Sequence, residues 1–393
     1  MVPKGWEVKS FEDVAFVGNG QVDPREEPYS SMWHIGPENV TSDTGRIKNV
    51  RQCSELGLIS GKYEFDRESI VYSKIRPNLN KVCRPDFDGV CSADMYPIWT
   101  KEGLFADYLF YYMLGPKFYS TAVSMSMRTG MPKINRTDLD TIKINIPPLP
   151  EQQKIAKILS TWDKAISTTE RLIENSTQQK KALMQQLLTG KKRLLDDEGK
   201  IFEGEWEEVK LSEIAQITMG SSPKSDAYNE IGDGLPLLQG NADIKNRKSA
   251  PRIYTSQITK ECHVDDILFS VRAPVGTVAL SNHNACIGRG IAAIKAKKNH
   301  SQDYLYQWLL SFELKWERYS QGSTFEAVNS DDIKSLNLSI PNYKEQQKIA
   351  TVLTNADKEI ELLEQQLADL QQEKKALMQV LLTGKKRVVV DEC

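Results

Sequence analysis

Residues 146–193 read IPPLPEQQKIAKILSTWDKAISTTERLIENSTQQKKALMQQLLTGKKR, and residues 340–387 read IPNYKEQQKIATVLTNADKEIELLEQQLADLQQEKKALMQVLLTGKKR. Aligned without a gap at a constant offset of 194, the two stretches are identical at 27 of 48 positions. Shared helix composition does not produce identity at that level, so the chain is a tandem duplication, and a repeat of this kind sets the architecture before any local reading is made.

Each copy reads as one long helix. Prolines open it, at Pro147, Pro148 and Pro150 in the first copy and Pro341 in the second, followed by the helix-forming run EQQKIA. Gly190 and Gly384 close it, because glycine enters the left-handed conformation that ends a helix. In the second copy Ile349, Leu353, Ala356, Ile360, Leu363, Leu367, Leu370, Leu377 and Leu381 recur in alternating steps of four and three, with Lys374 filling the one gap, the spacing of a coiled-coil seam. The first copy keeps the register at Ile155, Leu159, Ile166, Leu183 and Leu187, weakened in the middle by Thr169 and Ser176. The two seams are expected to face each other antiparallel, over helices about 60 Å long. Lys180 and Lys374 sit on the seam at matching places. They would either fix the register or carry their charge out to solvent, the second being the plainer expectation.

Fainter echoes precede each helix: Trp6 and Trp206, Asp107-Tyr108-Leu109 and Asp303-Tyr304-Leu305, Ser69–Ser73 and Asp266–Ser270. The globular parts are therefore duplicated too, and alternating short apolar runs with Gly, Pro and Asn punctuation suggest α+β (α/β-like) modules. The expected organisation is a globular domain at 1–145, a helical region at 146–193, a second globular domain at 194–339, a helical region at 340–387 and a tail at 388–393, related by a pseudo-two-fold axis.

Composition excludes more than it assigns. A chain of 393 residues can bury two or three cores without disulfides, and its six cysteines form no CxxC pair. That pattern, with no secretory or membrane-spanning run, points to the cytoplasm. No phosphate-cradling glycine loop, HExxH or GxSxG motif is present. Cys262-His263 with His283 and Cys286 has no spacing of a zinc site, and ordinary strand residues are the expected reading.

The net charge of −2 does not advertise nucleic-acid binding, so positive patches must be sought locally. Candidates are Lys245, Arg247, Lys248 and Arg252; Arg128, Lys133 and Arg136; Lys74 and Arg76; and Arg289. Each cluster could equally be a solvated face. Base readout favours Arg for guanine and Asn or Gln for adenine, which adds Arg272, Gln239 and Asn241 in expected loops. The RAPVG stretch around Arg272 is at least as readily a tight hairpin turn.

The paired EQQKIA…KKALMQ-x-LLTGKKR segments, with DILFSVRAPVGTVAL at 266–280 and IGRGIAAIK at 287–295, resemble the specificity subunit of type I restriction-modification enzymes over essentially the whole chain. The resemblance implies two target-recognition domains, at 1–145 and 194–339, each reading one half of a bipartite asymmetric site in double-stranded DNA. It implies conserved helices that space the halves and dock two modification subunits, with restriction subunits joining them. Catalysis would belong to those partners, together with S-adenosylmethionine, ATP and Mg, and this chain would bind no cofactor. The alternative is a coiled-coil scaffold that assembles proteins without reading DNA.

Overall fold

The computed structural model describes residues 3–127, 132–321 and 328–390. The chain divides into two compact units, residues 1–170 with 365–393, and residues 171–364. The division falls inside both long helices, so each unit owns one globular domain and a segment of each helix.

The two units are built alike. In the first, strand Glu7–Ser10 pairs antiparallel with Lys143–Ile146, and in the second Glu207–Lys210 pairs with Asn337–Ile340, each pair closing its globular domain just before a long helix. One sheet of the first unit runs in the order Ala15–Val17, Met95–Thr100, Ile70–Ser73, Val82–Cys83. Its counterpart runs Ala215–Met219, Ile291–Ala296, Ile267–Ser270, Val278–Leu280, extended by two short strands, Lys248–Ser249 and Ile244–Lys245. A second sheet in each unit contains one parallel pair, Trp33–Ile35 with Gly89–Cys91 and Leu235–Leu238 with Ala285–Ile287.

The first long helix spans Leu149–Leu187 and the second Tyr343–Leu381. Both stop as the sequence leads one to expect, with Gly190 at φ 68° and Gly384 at φ 75°. The seam residues divide by position. Ile155, Leu159, Leu187, Ile349, Leu353 and Leu381 are buried and belong to the cores of the globular domains, whereas Ile360, Leu363, Leu367 and Leu370 are only half-buried. The ends of the helices are thus completed by the globular domains of their own units, while of the more central seam positions Ile166 is buried and these four stay partly open to solvent.

Within each unit the helix segments run antiparallel, and charged pairs fix the register. In the first unit Lys374 Nζ lies 2.6 Å from Asp163 Oδ1, with Tyr111 Oη donating to Asp163 Oδ2 at 2.8 Å. In the second, Lys180 pairs with Asp357, whose other oxygen accepts from Gln307 Nε2 at 2.7 Å. The seam lysines therefore do not carry their charge out to solvent: the Lys374 side chain is 9 % exposed, and its ammonium sits 5.5 Å from the centre of the Tyr111 ring. An aspartate on the facing helix made the inward position the favourable one, because a buried ammonium needs a matched anion.

The repeated EQQ and KKR motifs meet in the same way. Arg387 pairs with Glu151, which also accepts from Trp6 Nε1 at 3.2 Å. Arg193 makes a two-point contact with Glu345 at 2.6 and 2.7 Å, and the Glu345 side chain is fully buried. The glutamines beside them tie the helix start to the globular domain. Gln152 accepts from the Phe105 amide at 2.7 Å and donates to the Pro147 and Gly103 carbonyls, and Gln346 accepts from the Ser301 amide at 3.0 Å and donates to Pro341.

Two outcomes are expected. Asp163→Ala leaves the Lys374 ammonium buried without its anion and should lower stability by about 3 kcal/mol, while Asp163→Leu with Lys374→Met recovers most of that, as thermal unfolding will show. His34 is the second case. Burial, and then the Lys62 ammonium, pushes its imidazole down to about 4, with Glu38 opposing weakly, and neither ring nitrogen has a hydrogen-bond partner among the described residues. The folded state holds the ring neutral while the unfolded chain takes up a proton below about 6.5, so its contribution to stability is present above that pH and lost on acidification toward 4. His34→Leu should flatten the fall in melting temperature between pH 7 and 4.5.

Candidate nucleic-acid interface

At one edge of the second unit four segments are hydrogen-bonded to one another. The Gly220 amide donates to the Ile291 carbonyl at 2.9 Å, Ser221 to Ile287 at 2.9 Å, Gly288 to Leu238 at 2.8 Å and Val271 to Gly290 at 3.0 Å. The Arg289 amide donates to Ser222 Oγ at 3.1 Å. Glycine is required where these backbones cross: a Cβ at Gly220 would lie 2.2 Å from the Gly288 carbonyl oxygen, and one at Gly290 only 2.1 Å from that of Gln239. This crossing brings Gln239, Asn241, Arg272 and Arg289 together from stretches far apart in sequence.

Their side chains differ in what they present. Arg272 and Arg289 are exposed. Gln239 is half-buried, its Nε2 donating to Tyr228 Oη at 2.9 Å. Asn241 Oδ1 is shielded from solvent and has no partner among the described residues. The RAPVG stretch is a hairpin loop between two antiparallel strands, closed by the Gly276 amide on the Ser270 carbonyl at 2.8 Å, with the Arg272 side chain outward. The turn and the exposed cation therefore coexist.

The KNRKSAPR residues do not join this group as one patch. Arg247 is held by Glu313 and by the Val278 carbonyl at 3.1 Å, Arg252 by Asp243 at 2.9 Å, and Lys248 lies 3.8 Å from Glu361. Lys245 is exposed on the short hairpin strand. Sequence spacing suggested a basic face, but acidic partners from other elements engage three of its four cations.

The first unit repeats the scaffold with other side chains. The Lys74 amide donates to the Asp94 carbonyl, the Ile134 amide to the Lys74 carbonyl and the Arg76 amide to the Pro132 carbonyl, so that Lys74, Arg76 and Lys133 share one edge. Arg76 and Lys133 are exposed, and Lys74 Nζ lies 5.2 Å from the centre of the Tyr96 ring. Arg136 is turned inward. It donates to the carbonyls of Val17 and Gly18 and to the Asn19 side chain, and stacks beside Tyr96 and Tyr63 at 5.4 and 5.9 Å. With those donors engaged by the fold, Arg136 ties the edge together, and Lys74, Arg76 and Lys133 are the candidate cations left beside it. Burial pushes the Tyr96 phenol up, opposed by the Arg136 guanidinium beside it. Arg128 lies outside the described residues.

Tyr228, Ser222, Tyr96 and Asn19 belong to these edges although sequence reading did not single them out. Ser73 and Ser270 each donate through Oγ to the carbonyl two residues on, but no local sequence signal marks the other four, which are set by where distant backbones approach. Among the described residues no group of His, Cys, Asp and Glu could hold a metal ion, and no helix is long and apolar enough to cross a membrane. His283 instead hydrogen-bonds Ser249 Oγ at 2.7 Å, and the Cys262 thiol lies 3.5 Å from Ser281 Oγ.

A two-domain frame with a shared backbone scheme and divergent cationic edges is the architecture of a protein that presents two different recognition surfaces. The sequence matches the family described as type I restriction modification DNA specificity domain over residues 3–176 and again over 203–372, and the chain belongs to that family. A putative type I restriction enzyme MjaX specificity subunit from Methanocaldococcus jannaschii is 30 % identical, covering 98 % of this chain and 95 % of that relative. Among solved structures, one described under complex assembly and conformational transition of the type I R-M system has a TM-score of 0.64 at 25 % identity, covering 98 % of this chain and all of the other. The HsdS subunit from Thermoanaerobacter tengcongensis has a TM-score of 0.54 at 25 % identity, covering 98 % of each chain.

Gly290→Ala should drive the Arg289 turn off Gln239, lowering the melting temperature and weakening DNA binding at fixed salt. Gly240→Ala, where an added Cβ meets nothing within 4 Å, should be tolerated in both measurements.

Proposed function

We propose that this chain is the DNA sequence-specificity subunit of a type I restriction-modification complex. Each globular domain reads one half of a bipartite, asymmetric site in double-stranded DNA, and the long helices act as spacer and as docking surface for two modification subunits. The chain itself is non-catalytic: methylation with S-adenosylmethionine, and ATP- and Mg-dependent translocation and cleavage, reside in the modification and restriction subunits, and the cytoplasm is where such a complex works. The single observation that carries this reading is that two units of like sheet order, sharing the edge bonds Lys74 to Asp94 and Ile134 to Lys74 in one and Val271 to Gly290 and Val328 to Val271 in the other, present different side chains there. Lys74, Arg76 and Lys133 stand on one, Gln239, Arg272 and Arg289 on the other. Phosphate contacts from the cations would fix position, while base-edge contacts would supply sequence preference. The family match favours this reading over a protein scaffold that ignores DNA.

Binding of the chain, mixed with a modification subunit, to randomised duplexes at moderate salt tests it. Recovery of a two-part site is expected, and selection of no sequence would overturn it; salt must be held fixed because phosphate contacts alone give general affinity. Replacing residues 1–145 by another domain should change one half-site only. Removing residues 167–173 and 361–367 together leaves Asp163, Lys180, Asp357 and Lys374 in place. It should shorten the gap by about three base pairs, since one heptad of helix spans about 10 Å.

A further inference from the structure

A chain of two hydrogen bonds in the second unit fixes how one candidate base reader can present itself. Tyr228 Oη has a single proton, which it donates to the Pro223 carbonyl at 3.1 Å. Toward Gln239 the phenol oxygen can therefore only accept, and Gln239 Nε2 lies 2.9 Å away. An amide turned over would set Oε1 against an oxygen with no proton to offer, so Pro223, through Tyr228, decides the orientation of Gln239. The backbone is held as well. The Gln239 amide donates at 2.7 Å to Asp243 Oδ2, in a residue only 2 % exposed, and the glycine crossing leaves no room for a side chain at Gly290.

With one amide hydrogen engaged, Gln239 has one N–H and Oε1 left to present, a donor and an acceptor side by side. Adenine shows the complement in the major groove, N7 as acceptor and N6–H2 as donor, whereas guanine shows two acceptors. Asn241, two residues on, does not duplicate the role, because its Oδ1 is shielded from solvent. Arg272 and Arg289, exposed on segments hydrogen-bonded to the same crossing, flank the amide with positive charge suited to phosphate. We infer that Gln239 is a specificity-determining residue that reads an adenine in the half-site of the second domain, and that Tyr228 is the residue that positions it. The inference rests on the DNA-reading function proposed above.

The test uses the full chain assembled with its modification subunit, selecting from randomised duplexes at one salt concentration. Wild type is measured first, and if it selects no sequence the DNA-reading function falls and this inference with it. Given a wild-type site, Gln239→Ala should weaken the preference for adenine at one position of one half-site by roughly tenfold or more and leave every other position unchanged. Gln239→Glu, which can accept but not donate, should move that position toward cytosine. Tyr228→Phe should weaken the same adenine preference several-fold while melting temperature and the preferences elsewhere match wild type. An unchanged site in both Gln239 variants would overturn the inference while leaving the DNA-reading function standing. So would a Tyr228→Phe variant that loses melting temperature and overall affinity but keeps the wild-type preference at that adenine.

Discussion

Two buried glutamates hold the frame. Glu151 and Glu345 open the long helices, and each is neutralised by an arginine that follows the end of the other helix, Arg387 and Arg193. A carboxylate taken out of water costs several kcal/mol unless its charge and lone pairs are matched, and Glu345, fully buried, is matched at two points. A shift in pairing by a single turn would leave it bare. The Lys180–Asp357 and Lys374–Asp163 pairs add the same constraint further along, so the thin apolar middle of the seam need not carry the register alone.

Seen from this constraint, the legible and illegible parts of the sequence separate for physical reasons. The long helices and their ends could be read because identity in EQQKIA and LLTGKKR is local and repeated. Why those motifs were retained could not, since Glu151 and Arg387 lie 236 positions apart and nothing local pairs them. The seam lysines misled for a related reason: a lone Lys at an apolar position favours solvent, and only the facing aspartate reverses that. The glycine crossing at 220, 288 and 290 was invisible because it depends on where distant backbones approach.

Cationic candidates were harder still. Lys74, Arg76 and Lys133 lie at the edge of the first unit and Arg272 and Arg289 at that of the second, whereas Arg136 and Arg247, alike in sequence, are engaged by carbonyls and carboxylates of their own units. The distinction between a free cation and a structural one lies in its acceptors, and those are set by the fold. Divergence at the edge sits beside near-identity at the helix starts, which is the pattern expected when loops can vary on a scaffold whose packing is fixed.

The division of the chain into units also orders its synthesis. The second unit is contiguous, residues 171–364, and everything it needs has been synthesised by its last residue. The first unit is not: Met378, Leu381 and Leu382 belong to its core, and Arg387, which neutralises Glu151 and donates to the Lys4 carbonyl at 2.9 Å, is made after the whole of the second unit. The domain that emerges first is therefore completed only after the second, and until residues 378–387 arrive its apolar helix face and the Glu151 carboxylate stand open, so that a change at Arg387 would be felt at the opposite end of the sequence.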